Sequence, residues 1–227
     1  QTERGDPVIN YNLHHITILL LASILSACAV NQVPPDFTPE SDDKNGVVVF
    51  SVSHDLEGGA RNNAIIYLNT NSFGTSEGIF ESSADEFLRP RKESDYVDVY
   101  GHLYAILLPA GDYAFTSWQI FNGAGLRILA GKGTQPQPFH VDAGQVKYLG
   151  NLHGNLRRGK NFLGMTITGG GVISVNNMQE RDIKLLITRY PQYQNIVKID
   201  TLRLGPWIGS ENTKMISEIP FQLPVPK

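Results

Sequence analysis

The sequence contains almost no cysteine. A single cysteine occurs among the 227 residues, at position 28. The chain after that point therefore cannot form an internal disulfide, a thiolate metal site or a cysteine nucleophile. Its stability has to come from an ordinary packed core, and the 200 residues that begin at Cys28 are enough for one domain with such a core.

An excess of charge of either sign is also missing. Residues 1–27 hold one basic and two acidic residues, so 18 basic and 20 acidic residues remain after them, a net charge of −2. Nucleic acids and other polyanions select strongly basic surfaces. The sequence thus predicts no nucleic-acid partner, and no motif in it predicts a cofactor.

No apolar run is long enough to span a bilayer as a helix. The run Ile16–Leu25 has ten residues, whereas a transmembrane helix needs about 20. Its length suits the apolar core of a secretory signal, which is followed by small residues at the cleavage point. Ser26 and Ala27 are such residues, and they precede Cys28.

Leu25-Ser26-Ala27-Cys28 resembles the lipobox of bacterial lipoproteins. The resemblance implies that residues 1–27 are a signal peptide, removed by cleavage before Cys28, and that Cys28 carries acyl chains such as palmitate. Two or more acyl chains hold a protein firmly to a membrane. Ala29 follows the cysteine, so the aspartate that retains enteric lipoproteins at the inner membrane is missing. We therefore expect the outer membrane of a bacterial envelope. The alternative is a buried segment with a free core cysteine.

Residues 28–45 are predicted to be a lipidated tether, and residues 46–227 a single domain. Asn31–Asn45 combines three prolines with four acidic residues, a composition poorly suited to a core. We expect it to hold the domain away from the membrane surface.

The domain shows the pattern of short strands joined by turns. Predicted strands are residues 47–52, 64–68, 96–100, 102–108, 139–141, 146–149, 162–168 and 172–175, with a late strand at 196–204. Pro109-Ala110-Gly111 predicts a turn between two strands, after which Tyr113 and Phe115 share one face. Asp142-Ala143-Gly144-Gln145 predicts a second turn, between the strands at 139–141 and 146–149. The fold class is therefore mainly β, an antiparallel sandwich.

One helix is predicted near residues 178–190. Asn177 is a candidate N-cap with Glu180 three residues later. Ile183, Leu186, Ile187 and Tyr190 follow at the spacing of one apolar helical face, and Pro191 ends the pattern.

Two segments together, Leu108–Tyr113 and Val141–Gly150, resemble the prealbumin-like β-sandwich module, also described as transthyretin-like or carboxypeptidase-regulatory-like. The likeness covers about a quarter of the chain and implies a sandwich with a prealbumin or immunoglobulin-like arrangement. The helix and the C-terminal segment are not part of the minimal module.

Two motifs point formally to catalysis or phosphate binding. Gly74–Gly78 matches G-x-S-x-G around Ser76, but a nucleophile elbow needs a strand before the serine and a helix after it. Gly154–Asn161 nearly matches a phosphate loop, with Asn161 in place of the hydroxyl residue and a predicted strand after it. We interpret residues 154–161 as a hairpin loop with a solvated tip at Arg157, Arg158 and Lys160, which are candidate contacts for anionic headgroups.

The histidines give no complete site. His54, His102, His140 and His153 lack the spacing of a helical metal motif. Adjacent strand residues point to opposite faces, so His54 and Asp55 should not share a site, whereas His140 and Asp142 can share a face. No catalytic and no metal-ligating residue is predicted.

Trp118 and Trp207 are candidate stacking surfaces for a sugar, although strand aromatics usually lie in the core. Trp207, between Gly205 and Gly209, is the better candidate for exposure. The sequence thus favours a lipid-anchored binding or structural module, not an enzyme, with the membrane and another envelope protein or cell-wall glycan as partners. The alternatives are a carbohydrate- or peptidoglycan-binding module and a serine hydrolase that uses Ser76.

Overall fold

The structure is a computed structural model, and it describes residues 32–39, 44–56, 62–70, 76–83, 93–122, 125–160, 162–209 and 213–217. Twelve strands lie within these ranges. They are β1 Asn45–Asp55, β2 Asn63–Thr70, β3 Ser76–Glu81, β4 Val99–Pro109, β5 Gly111–Asn122, β6 Leu126–Leu129, β7 Gln137–Val141, β8 Val146–Lys160, β9 Thr166–Asn176, β10 Val197–Ile199, β11 Gly205–Pro206 and β12 Lys214–Ser217.

The strands form two sheets, which confirms the predicted β-sandwich. Sheet A has the order β11-β9-β8-β1-β4, with β10 also paired to β8. Sheet B has the order β12-β6-β5-β2-β3, with β7 also paired to β5. Most pairs are antiparallel, but β8 runs parallel to both β1 and β10.

The two tight turns that the sequence predicts are present, and both connect different sheets. β4 ends at Pro109 in sheet A and β5 begins at Gly111 in sheet B, where Gly111 has φ +155°. β7 ends at Val141 in sheet B, and β8 begins at Val146 in sheet A after Gly144, which has φ +69°. These turns therefore connect the layers and do not close hairpins.

The main core lies between the sheets. Alternate residues of β1 point into it, with Val48, Phe50 and Val52 fully buried. Phe50 packs against Phe80 and Phe115 with ring centroids 4.8 and 5.0 Å apart. Tyr113 and Phe115 lie in the same core, as their alternation predicts.

A second core lies on the opposite face of sheet A, here called the outer face. The α-helix α1 Gln179–Arg189 and the 3-10 helix Pro191–Tyr193 pack there against Val47, Val49, Leu103, Ala105, Val146 and Tyr148. Because β1 is covered on both faces, its run Val47–Val52 is apolar almost throughout and shows little alternation.

The helix that the sequence predicts is present, and its buried face is rotated from the predicted one. Leu186 and Tyr190 are buried as predicted, but Asp182 is also fully buried, while Ile187 is only partly covered. The Asn177 side chain accepts a hydrogen bond from the Gln179 amide at 3.2 Å, so it acts at the start of the helix.

The segment predicted to be a tether packs against the domain where the structure describes it. Residues 32–39 lie on the outer face, with Val33 buried and Phe37 in contact with the second core. Gln32 forms an antiparallel bridge with Ile106 of β4. Pro34 and Pro35 lie in a turn there, closed by a hydrogen bond from the Phe37 amide to the Pro34 carbonyl at 3.1 Å.

The strand boundaries also differ from prediction at three places. Tyr96 lies in a loop before β4, and Gly101 lies within that strand. Phe162 lies in the turn between β8 and β9, which are long and continuous. The late strand is only Val197–Ile199, since residues 200–204 have no regular structure.

Candidate functional site

The outer face changes from apolar to polar along its strands. On β1 the outward positions run from Val47 and Val49 to Ser51, Ser53 and Asp55. On β8, which is in parallel register with β1, they run from Val146 and Tyr148 to Asn151 and His153. With Arg181 and Asp182 of α1 these side chains form what we call the outer polar network: Ser51, Ser53, Asp55, Tyr148, Asn151, His153, Arg181 and Asp182.

Asp182 is the buried acceptor of this network. Its Oδ2 accepts hydrogen bonds from the Ser51 hydroxyl at 2.6 Å and the Tyr148 hydroxyl at 2.8 Å. Its Oδ1 accepts one from Arg181 Nε at 2.9 Å. A buried carboxylate is costly unless it is paired and hydrogen-bonded, and these three donors supply both conditions.

The tyrosines beside Asp182 are held in their neutral form. Burial raises the pKa of Tyr148 well above its usual range, and the adjacent Asp182 carboxylate raises it further. Burial and Asp182 act in the same way on the pKa of Tyr96. The Arg181 guanidinium carbon lies 3.7 Å from the centroid of the Tyr96 ring, a cation–π contact that fixes both groups.

A serine, a histidine and an aspartate form a chain at the other end of the network. Ser53 Oγ lies 2.8 Å from Nδ1 of His153, and Nε2 of His153 lies 3.1 Å from Asp55 Oδ1. Asn151 Nδ2 also donates to Ser53 Oγ at 3.0 Å. The order of groups is that of a serine hydrolase, but the ring nitrogens are exchanged relative to the usual arrangement.

Access decides against nucleophilic attack by Ser53. Its exposed fraction is 0%, and it lies within β1, which pairs with strands on both sides. The backbone amides of β1 are therefore committed to the sheet ladders and cannot form an oxyanion hole. The Ser53–His153–Asp55 chain satisfies buried polar groups at the end of the outer face.

A second polar cluster joins the far end of α1 to the loop before β4. Asp95 Oδ1 lies 2.6 Å from Arg189 Nη2, and Asp95 Oδ2 accepts a hydrogen bond from the Leu103 amide at 2.8 Å. Burial opposes ionisation of Asp95, but the neighbouring His102 and Arg189 side chains and the Leu103 amide hold its pKa well below the usual range. This cluster is a structural tie between helix and sheet.

A cavity of about 240 Å³ opens between the sheets at the end where β1 stops. Its polar lining residues are His54, Asp55, Asn62 and Arg158. His54 Nδ1 lies 2.7 Å from Ser82 Oγ, and its ring stacks on Tyr100 at 5.4 Å. Gly154 borders the cavity, where a Cβ would lie only 2.8 Å from that of Ala64. The cavity has room for a small polar molecule.

The histidine predictions can be compared directly with the structure. His54 points inward to Ser82 and Asp55 points outward to His153, as expected of adjacent strand residues, but both border the cavity at the end of β1. His140 and Asp142 do share a surface, with Nε2 and Oδ1 3.7 Å apart. In the described ranges no three histidine, cysteine, aspartate or glutamate side chains could together hold a metal ion.

The two tryptophans are not exposed. Trp118 and Trp207 are 1% and 0% exposed and both belong to the core between the sheets. Trp207 Nε1 donates to the Gln135 carbonyl. The interpretation of Trp207 as an exposed binding aromatic is therefore wrong, because residues 202–207 fold back over the end of the core.

The basic residues lie on a strand, not at a loop tip. Arg157, Arg158 and Lys160 belong to the last part of β8, which pairs with β9, and the turn follows at residue 162. All three are exposed. Residues 162–176 hold a turn and a strand but no helix, so the near-match to a phosphate loop lacks the required helix N-terminus.

Ser76 begins β3, and its side chain lies outside the described part of the structure, as do Gly74 and Thr75. Because a strand and not a helix follows Ser76, the segment lacks the geometry of a nucleophile elbow. Cys28 and Asn161 also lie outside the described residues.

The outer polar network is not among the sites that the sequence predicts. Its members come from β1, β8 and α1, and Ser51 and Asp182 are separated by 131 residues. The available signal was weak: Asp182 lies on the apolar side of α1, and polar residues replace apolar ones at alternate positions of β1 after Val49.

Comparisons with known proteins identify no relative. No family model matches the chain, and no curated protein and no solved structure matches it significantly. Among the described residues no helix has the length and apolar character needed to cross a bilayer.

Proposed function

We propose that this protein is a lipid-anchored protein of the bacterial cell envelope, attached through Cys28, whose β-sandwich is a binding or structural module and not an enzyme. The lipobox-like sequence Leu25–Cys28 is the basis for the anchor. The observation that carries the proposal is that the segment beginning at Gln32, four residues after this cysteine, packs on the domain.

The attachment is made by backbone and side-chain contacts on the outer face. The Val33 amide donates to the Ala105 carbonyl at 3.0 Å, and the Val33 side chain is 3% exposed. Tyr190, next to the end of the helix, donates its hydroxyl to the Val33 carbonyl at 3.1 Å. Tyr193 and Gln192 donate to the Phe37 carbonyl at 2.9 and 3.0 Å.

The short distance from Cys28 to these contacts defines how the module would sit. Four peptide steps separate Cys28 from Gln32, and an extended chain covers at most about 3.6 Å per residue, or about 14 Å in total. An acylated Cys28 would therefore keep the edge strand β4 close to the bilayer surface. The spacer between lipid and domain is thus short, in contrast to the long one that residues 28–45 would form if they were extended.

The non-catalytic role rests on the buried polar groups. The one serine–histidine–aspartate chain among the described residues has its hydroxyl fully buried. The hydrolase alternative through Ser76 lacks the helix that follows a nucleophile elbow. The sugar-binding alternative loses its two stacking candidates, because Trp118 and Trp207 are in the core.

The anchor is tested by replacing the thiol. Cells that express the parent chain, Cys28→Ala or, as the matched control, Ala29→Ser are labelled with radioactive palmitate, and the protein is recovered from membrane and soluble fractions. We expect the parent chain and Ala29→Ser to carry label and Cys28→Ala to carry none, since only a thiol forms the thioether. Label on Cys28→Ala, or an unlabelled parent chain of full length, would show that the anchor proposal is wrong.

A further inference from the structure

The β8–β9 hairpin projects beyond the body of the sandwich. The base of the hairpin lies on the core: at Gly171 of β9 an added Cβ would lie 3.0 Å from Ile120 Cδ1. From Arg157 to Lys160 every residue of β8 is exposed, and Ile167 of β9, opposite Gly159, is 46% exposed. These exposures show that the described parts of sheet B and α1 leave this end of the hairpin open.

The apex of this hairpin is apolar. Phe162 is 95% exposed, and Leu163 and Met165 are 65% and 55% exposed. With Ile167, four large apolar side chains lie within six residues. Exposed apolar patches of this kind are characteristic of surfaces that contact another protein or a membrane.

The stem of the hairpin is basic. Arg157, Arg158 and Lys160 lie just below the apex, and no aspartate or glutamate occurs between Asp142 and Glu180. The hairpin therefore carries only positive charge, although the chain as a whole is slightly acidic.

We propose that the apex inserts into an anionic lipid bilayer. The basic stretch has a suitable length for contact with lipid headgroups: Arg157 and Lys160 are three residues apart along β8, about 10 Å. Interfacial segments bury apolar side chains about 5–10 Å deep while cationic side chains stay at the headgroups. Charge complementarity favours anionic lipid over a neutral glycan or an apolar protein groove.

This contact is separate from the lipid on Cys28 and does not depend on it. Gln32 bridges to Ile106, which lies opposite Val48 and hence level with Lys147 at the start of β8. From Lys147 to Lys160 the strand covers 13 residue steps, about 43 Å. Contact of both ends with one bilayer requires the strands to lie along the membrane plane.

The experiment places a fluorescent reporter at the apex. The full chain carrying Cys28→Ala and Phe162→Trp is mixed with vesicles of phosphatidylcholine alone or with about one third phosphatidylglycerol, each also prepared with brominated acyl chains. The native Trp118 and Trp207 are buried and give a constant background. The control chain carries Cys28→Ala and Val97→Trp, because Val97 is 96% exposed and lies among acidic residues.

We expect the emission of the Phe162→Trp chain to shift to the blue and to be quenched by bromine in the anionic vesicles only. Adding Arg157→Gln and Lys160→Gln should weaken this binding about tenfold or more, and raised salt should act in the same direction. Three results would each overturn the proposal: no quenching of the Phe162→Trp chain, equal quenching of the Val97→Trp control, or equal quenching in neutral vesicles. Because Cys28 is replaced throughout, failure here leaves the palmitate experiment unaffected.

Discussion

The two faces of sheet A are both buried, but different chemistry stabilises them. The inner face meets sheet B through apolar and aromatic side chains as far as the cavity, where His54 points inward to Ser82. The outer face is apolar only where Val33 and the end of α1 cover it, and polar where Asp182 and Arg181 cover it. An apolar face tolerates many volume-conserving changes, whereas a polar face depends on every donor having its acceptor.

The largest effect is expected on the inner face. Phe50→Ala removes a fully buried ring that contacts Phe80 and Phe115. Loss of a buried phenylalanine costs about 3–5 kcal/mol in the free energy of unfolding. Urea denaturation measures it, with Ile79→Ala as the control because Ile79 is 53% exposed. A loss at Phe50 no greater than that at Ile79 would contradict the inner core described above.

On the outer face the most sensitive residue is Asp182. Asp182→Asn keeps the shape of the side chain but removes the negative charge that faces Arg181. It also replaces one of the two oxygens that accept hydrogen bonds from Ser51, Tyr148 and Arg181. We expect the free energy of unfolding to fall by about 3 kcal/mol, the lower end for a broken buried pair, as measured by urea denaturation. Glu180→Gln on the exposed side of the same turn is the control. Equal stability of the two variants would mean that Asp182 is not the centre of the network.

A smaller effect is expected from Ser53. Ser53→Ala leaves Nδ1 of His153 without its hydroxyl partner and removes one of the two hydroxyls that the Asn151 amide contacts, at a cost of about 1–2 kcal/mol. Combining it with His153→Leu should cost less than the sum of the two single changes. The double variant has neither the hydroxyl nor the imidazole, so neither group is left without its partner. Strict additivity in thermal unfolding would show that Ser53 and His153 do not interact.

The smallest effect is expected at the rim of the sandwich. The Lys147 ammonium donates a hydrogen bond to the Asp142 carboxylate, and this bond and its positive charge lower the pKa of Asp142. A lowered pKa adds stability above about pH 4, and that stability is lost as the pH falls. Asp142→Asn should cost less than about 1 kcal/mol at pH 7 and nothing near pH 2, as measured by urea denaturation at both pH values.

The loss is small because Lys147 keeps Asp200 and the His140 carbonyl as partners. A loss that is the same at pH 7 and pH 2 would rule out the ion pair between Lys147 and Asp142.

The inner face can be predicted from sequence far better than the outer one. The alternation of Tyr113 and Phe115 indicates one buried face, and the turn residues at Pro109–Gly111 and Gly144 mark the ends of strands. Periodicity, however, does not say which sheet a strand joins. Both turns are predictable, but nothing local shows that each one crosses between the two layers.

The outer polar network cannot be predicted in the same way. Ser51, Asn151 and Asp182 come together only through the parallel register of β1 with β8 and the docking of α1. The prolines and acids around Val33 predict a tether, yet the Val33 side chain is buried, its amide donates to the Ala105 carbonyl and its carbonyl accepts from the Tyr190 hydroxyl. The glycines that flank Trp207 predict its exposure, but Trp207 follows β11 and its side chain is buried in the core.

The position of β1 also has a consequence for the order of folding. β1 is the first strand of the described chain and lies inside sheet A, but its parallel partner β8 is about 100 residues later, with Val47 opposite Val146. Pairing over such a separation is intrinsically slow. Until β8 arrives, the segment Val47–Val52 is an apolar strand with an open edge, the type of segment that aggregates. During synthesis, which starts at the N-terminus, β1 is complete long before β8. Until then it needs pairing with β4, which is nearer in sequence, or a chaperone that holds it.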